Sequence, residues 1–240
     1  MVVGAIVISV SIVSLLSLIG IFFLSVRKRT LQALLLELVA FSIGALLGGA
    51  FLHLLPESFA LFAGAGWLVL LGFFIGFLLE RAVHWHHCHE HDCEHAVKPF
   101  AWVNLVGDGV HNLIDGAIIA SAFLVDTHAG VATTIAVALH ELPQEIGDYA
   151  VLVHAGLSRT KALALNFASA ATAFLGAFAV ILLNELASSF VKYLLPIAAG
   201  LFIYLAATDL IPELHKEKRA GRIIVQLLAV ILGLGVMALL

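Results

Sequence analysis

The sequence predicts an all-α polytopic membrane protein of eight transmembrane helices, and three observations carry that prediction. Apolar residues make up 62% of the 240-residue chain, against roughly 45–50% in an ordinary soluble domain. Charged side chains make up only 12%, about half the usual quarter. The apolar residues come in runs of about 20, the length of one helical crossing, and not in the alternating segments of a barrel strand. So few charges cannot cover a soluble globule of this size, which excludes soluble enzymes. Disorder is excluded by the same hydrophobicity. The formal net charge is −4 and no basic stripe exists, so no nucleic-acid partner is expected.

The first span is expected over Val2–Val26, stopping at Arg27-Lys28-Arg29. No positive charge precedes it and it is longer than a signal-peptide core, so it reads as a retained span. The second runs from Leu31 to Leu55 and ends at Pro56-Glu57, and the third covers Leu61–Leu79. A polar segment at 84–95 follows, and then spans over Val97–Leu124, Ala129–Ala155, Ala162–Leu183, Val191–His215 and Ile223–Leu240. Basic residues test this division. Eleven of the 12 Lys and Arg fall in or beside the first, third, fifth and seventh loops, and only Lys192 falls on the other side. That bias places those loops in the cytoplasm and both termini outside, in a plasma or inner membrane. Residues 1–240 then form a single transmembrane domain.

His53-Leu54-Leu55-Pro56-Glu57 ends the second span, and Asp209-Leu210-Ile211-Pro212-Glu213 ends the seventh, which runs the opposite way. Such an echo is what an inverted repeat leaves. It suggests a 3+2+3 arrangement, spans 1–3 repeated in spans 6–8.

Ionisable groups are costly inside a membrane helix and usually have a task. Span four carries Asn104, Asp108, His111, Asn112 and Asp115, within an arc of about 100° on a helical wheel. Span five carries His140, Glu141, Gln144, Glu145 and Asp148, within about 140°. Two such stripes must face each other or water, not lipid. Interhelical hydrogen bonding or a proton relay is one reading, but five carboxylates repel unless protons or a cation sit among them. His111 and Asp115, one turn apart, form a sound chelate. Imidazole and carboxylate without thiolate suit Zn(II), Fe(II), Mn(II) or Co(II). Pro143 frees the Leu139 carbonyl between these ligands. Gly107, Gly109, Gly116 and Gly147 are expected to let spans four and five approach closely.

His111-Asn112-Leu113-Ile114-Asp115-Gly116 and His140-Glu141-Leu142-Pro143-Gln144-Glu145-Ile146-Gly147-Asp148 resemble the two signature motifs of the ZIP (Zrt/Irt-like) metal-ion transporters. They are most similar to the subgroup whose second motif reads His-Glu-x-Pro-His-Glu-x-Gly-Asp. The resemblance extends to Leu52–Glu57, Asn166–Gly176 and Asp209–Glu213. It implies a carrier of divalent metal, Zn2+ first, into the cytoplasm by alternating access, commonly as a homodimer in lipid and without an organic cofactor. It implies that His111, Asp115, His140, Glu141 and Gln144 bind the first metal, while Asn112, Asp115, Glu141 and Gln144 border a second. Gln144 stands where the subgroup usually has His, and an amide oxygen is a harder, weaker ligand. That leaves Fe2+, Mn2+ and Cd2+ open.

Further candidates lie off this centre. Asp108, Glu145 and Asp148 read as secondary metal or pathway residues. His53 and Glu57 suit an entry, and Asp209, Glu213 and His215 an exit. His84, His86, His87, Cys88, His89, His91, Cys93 and His95 form either a weak metal acceptor or a plain polar loop. Two cysteines make no disulfide framework. Glu37 and Glu80 are expected to be solvated, and Trp67 and Trp102 to lie in an aromatic belt. The rivals are an intramembrane zinc hydrolase and a metal exporter. A His-Glu-x-x-His protease template fails at Gln144.

Overall fold

The structure, a computed structural model, describes residues 2–87, 97–183 and 185–240, with the side chains of 28, 29, 32, 33, 83–87 and 185–191 outside the description. Among the described residues it is helical throughout, in eight long rods. We number these α1 (Val2–Leu24), α2 (28–61), α3 (Ala65–His87), α4 (Phe100–Val125), α5 (Thr127–His154), α6 (Arg159–Leu183), α7 (185–214) and α8 (Ala220–Leu239). Seven contain a stretch long and apolar enough to cross a membrane. The exception by composition is α5, a helix of 28 residues that carries the acidic motif. The chain is an integral membrane protein, and its periphery fits lipid: the apolar windows of α3 and α8 are only 17% buried, against 61% for α2 and α7.

Local chemistry sets the helix ends. Asp126 caps α5 by accepting from the backbone N–H groups of His128 (2.7 Å) and Ala129 (2.9 Å). Gly156, at φ +106°, follows α5 in the left-handed conformation. There Leu157 N–H reaches back to the Leu152 carbonyl, and Gly156 N–H to that of Val153. Ser158 caps α6 through Lys161 N–H.

Pro56 does not end its helix as the sequence suggested, and Pro212 lies inside α7, within the span expected to reach His215. Each removes a backbone donor, and each helix answers with a six-residue π-helical turn, Gly49–Leu54 in α2 and Leu205–Leu210 in α7. One further residue then leads to the proline, and the helix runs on to Leu61 or Leu214. Looping out a residue relieves the clash that would otherwise break the rod.

The packing follows the same pairing. α2 lies against α8 as α7 lies against α3, and α4 against α6 as α5 lies against α1. A Cβ on Gly44 would collide with the Val230 carbonyl of α8, and one on Gly233 with the Phe41 carbonyl of α2. Gly200 and Gly72 stand in the same relation to Val69 and Ile197 across α7 and α3. Both pairs of backbones approach as closely as only glycine allows.

The glycines of α4 and α5 correct an expectation. Gly116 abuts Ala173 of α6, Gly109 faces Ser169 and Thr172 of α6, Gly107 faces Leu201 and Phe202 of α7, and Gly147 abuts Ser42 of α2. They seat the central pair against the surrounding helices, and do not seat its members against each other. Glu37 and Glu80 are not simply solvated either: Arg222 donates to Glu37 (2.6 Å), and the Tyr204 hydroxyl donates to Glu80. Trp67 is 79% exposed, as a belt residue would be.

One end of the bundle gathers the basic loops. Arg159 donates to the carbonyls of Phe23 and Val26, Lys98 N–H donates to the Ala155 carbonyl, and the Lys98 ammonium pairs with Glu213.

Candidate metal centre

The polar stripes of α4 and α5 meet at mid-helix. His111, Asp115, His140 and Glu141 each bring a ligand atom within 4.8 Å of the others. His111 Nε2 is 3.2 Å from Glu141 Oε1 and 3.6 Å from Asp115 Oδ2. His140 Nε2 is 3.2 Å from Asp115 Oδ2 and 3.8 Å from Glu141 Oε1. A tetrahedral site with bonds of about 2.0–2.1 Å has ligand–ligand edges of about 3.3–3.4 Å, and the four imidazole–carboxylate separations, 3.2 to 3.8 Å, lie close to that.

The environment supports ligation. His140 Nδ1 donates to the Ala136 carbonyl at 3.1 Å, which leaves the Nε2 lone pair directed at the cluster. Phe202 of α7 lies against the His111 ring, centroids 5.3 Å apart, and supplies a dry wall. His111, Asp115 and Glu141 are buried, and His140 is half-buried. A cavity of about 240 Å³ reaches the cluster from the end opposite the basic loops, lined by His53, Glu57, Thr133 and Gln144 among others. Neither polar atom of the buried Gln144 side chain has a hydrogen-bond partner, so its amide is free to supply a further ligand.

A second group lies toward the basic loops. Asp108, Glu141 and Glu145 also bring oxygens within 4.8 Å of one another. Asn112 joins this group, since its Nδ2 donates to Asp108 Oδ1 at 2.9 Å. Asp148 is buried on the same face of α5 but belongs to neither group.

The outlying candidates separate. His53 Nε2 donates to the Met237 carbonyl (2.7 Å) on the cavity wall, and the exposed Glu57 stands at its rim. At the basic end Glu213 is held by Lys98 (2.9 Å), Lys216 (2.7 Å) and His154 (3.2 Å). Asp209 is half-buried beside it in sequence, and His215 is exposed. The side chains of His84, His86 and His87, and residues Cys88, His89, His91, Cys93 and His95, lie outside the described residues.

Sequence reasoning missed Asn166, whose Nδ2 donates to Glu145 Oε2 at 2.5 Å. It also missed Lys98 and His154 as partners of Glu213. A lone Asn in an apolar span was the available signal for Asn166, whereas nothing local marks the other two.

Fold and site together define a class: a helical membrane protein whose two central helices hold a closely spaced imidazole–carboxylate cluster at the foot of a cavity. The family described as ZIP Zinc transporter matches over residues 2–99 and 85–240. The chain belongs to that family. It is 36% identical over 150 residues to "Zinc transporter foi" of Drosophila melanogaster, covering 62% of this chain and 21% of that protein. To "Zinc transporter ZIP13" of Pongo abelii it is 32% identical over 220 residues, covering 85% of this chain and 66% of the relative. Human "Zinc transporter ZIP4" is 44% identical over 113 residues, 47% of this chain and 17% of the relative. The chain thus spans about a fifth of the length of several curated relatives it matches.

Proposed function

We propose that this chain carries divalent transition-metal ions across a membrane into the cytoplasm, with the ion as substrate and no enzymatic step. The observation that carries the reading is the four-ligand cluster of His111, Asp115, His140 and Glu141 at the foot of a cavity open to one end. Relatives named zinc transporters support zinc as the first cargo. Gln144, in place of an imidazole, favours a broader range that takes in Fe2+, Mn2+ and Cd2+.

Residues 1–240 act as one transporter unit of eight crossings in lipid, α5 among them, as a homodimer. The basic end faces the cytoplasm and both termini lie outside, in a plasma or inner membrane. Ions enter past His53 and Glu57, bind first to the imidazole group with Gln144, and pass Asn112, Asp108, Glu145 and Asp148. They leave beside Asp209 and Glu213, and the His/Cys segment at 84–95 receives them. The cavity on the outer side and the Glu213 ion pairs on the inner side match an outward-facing state of an alternating-access carrier.

Radiolabelled zinc uptake into proteoliposomes tests this. The wild type is expected to take up zinc, and His111→Ala and Glu141→Ala to lose most of it. Equal uptake by all three proteins would remove the site assignment. Zinc-dependent hydrolysis without uptake by the wild type would favour the hydrolase reading.

A further inference from the structure

A second cavity, of about 480 Å³, lies between α2, the end of α7 and the start of α8, a volume within the range of ligand sites. Its lining comes from these helices and the loop joining the last two, and not from α4 or α5. Ile43 and Leu47 of α2, Leu214 of α7 and Val230 of α8 make its walls apolar. Ile223 and Leu227 complete them, and both are exposed on α8, whose apolar window is only 17% buried. The cavity therefore borders the surface that faces lipid.

Its polarity is graded along the membrane normal. His215 and Glu217 line the end at the basic loop, and Val230 lies about 15 Å along α8 from Ala220. Gln226 falls between them. It is 3% exposed, and its amide nitrogen is buried with no hydrogen-bond acceptor among the described residues. An unpartnered buried donor is costly, and an apolar residue would line this wall without that cost. The donor points to an acceptor that a ligand brings. The mouth is cationic: residues 215–222 hold Lys216, Lys218, Arg219 and Arg222 against one acid, Glu217. Lys216, Arg219 and Arg222 have carboxylate partners, whereas the exposed Lys218 ammonium has none among the described residues.

We infer that this cavity binds an anionic phospholipid from the leaflet at the basic end. One acyl chain fills the space between α2, α7 and α8, an ester carbonyl accepts from the Gln226 amide, and the anionic headgroup lies at Lys218. Tail, ester and phosphate occur in a phospholipid in the same order as apolar wall, amide and cation occur here. A free fatty acid has one oxygen-bearing group for the two polar positions. Ile211 and Leu214 stand on either side of Glu213 and both line the cavity, so the tail packs against the segment of α7 that carries Glu213. The site does not depend on the transport reading.

Native mass spectrometry of the purified chain in detergent tests this, with dioleoyl phosphatidylglycerol, dioleoyl phosphatidylcholine or oleate added singly. One phosphatidylglycerol is expected to stay bound per chain, about fivefold more tightly than phosphatidylcholine. Gln226→Leu should weaken it about fivefold, Leu227→Trp should displace it by filling the space, and Lys218→Gln should erase most of the preference for the anionic lipid. Unchanged melting temperatures for Gln226→Leu and Leu227→Trp would show that both fold. Retention of phosphatidylglycerol indifferent to both substitutions would make it a belt lipid only and overturn the site. Equal retention of the two phospholipids, or tighter retention of oleate, would overturn the assignment of an anionic phospholipid. Because no readout is uptake, failure here is distinct from failure of the transport reading.

Discussion

The π-helical turn of α2 and that of α7 are the same device in opposite conditions. In both, six residues of π-helix are followed by one helical residue, a proline and a glutamate. Around the first, His53 and Glu57 border an open cavity that runs to the metal centre. Around the second, Glu213 is closed in by Lys98, His154 and Lys216. His154 ends α5 and Lys98 stands two residues before α4, so the closure ties the site-bearing pair to α7. The Phe100 ring reinforces it, stacked on His154 (6.2 Å) with the Lys98 ammonium 5.5 Å from its centroid. The comparison teaches that two like backbone turns can carry unlike surroundings, an open cavity at one and a carboxylate held by three partners at the other.

The largest expected effect tests the symmetry itself. Gly44→Val and Gly200→Val each drive a side chain into a carbonyl of the facing helix. Each should destabilise the protein by about 3 kcal/mol, the upper end of ordinary overpacking, seen as a lower melting temperature in detergent. Near-equal losses would support two equivalent interfaces, and tolerance at one position alone would break the equivalence.

Next comes the closure. Glu213→Gln removes the carboxylate that Lys98, Lys216 and His154 share, whereas Glu57→Gln removes one that faces open space. Ion pairs of this partly exposed kind are worth about 0.2–1 kcal/mol each. Their joint loss should therefore raise opening at the basic end about tenfold. Ser42, 2% exposed against Gly147, is a reporter: thiol labelling of Ser42→Cys should quicken by that factor with Glu213→Gln and stay within about twofold with Glu57→Gln. Equal labelling in both would show that Glu213 holds nothing shut.

Acid should act at the metal centre. Protons compete with metal for imidazole and carboxylate, so uptake should fall below about pH 6. Glu213→Gln should leave the midpoint of that fall in place. A flat profile from about pH 5 to pH 8 would contradict imidazole ligation.

Much of this was legible in the sequence because periodicity fixes which face a residue takes. The two polar stripes, the all-α class and the paired Pro-Glu echo follow from it. Periodicity does not fix which helix that face meets, so Gly116 and Gly147 were assigned to the wrong partners. Contacts between residues far apart in the chain were invisible for the same reason: Glu37 with Arg222, Glu80 with Tyr204, Asn166 with Glu145. The π-helical turns were hidden because proline ordinarily ends a helix, and only tertiary packing makes an inserted residue the better solution.

The smallest effect separates ion pairs that close an end from those that merely decorate it. Glu217 lies in the same basic loop as Lys216, but it pairs with Arg219 two residues on (2.8 Å). The Arg219 guanidinium holds its carboxyl down at about 2, below the ordinary 4.5. A depressed carboxylate stabilises the fold above its ordinary value and loses that contribution as the pH falls toward the lower one. Glu217 therefore contributes a constant amount between pH 5 and pH 8, where uptake is predicted to change. Its main partner belongs to its own loop, so Glu217→Gln should leave Ser42→Cys labelling and the pH midpoint unmoved. If instead it opened the basic end as Glu213→Gln does, the charge of the loop as a whole, and not the three-way grip on Glu213, would be what keeps that end closed.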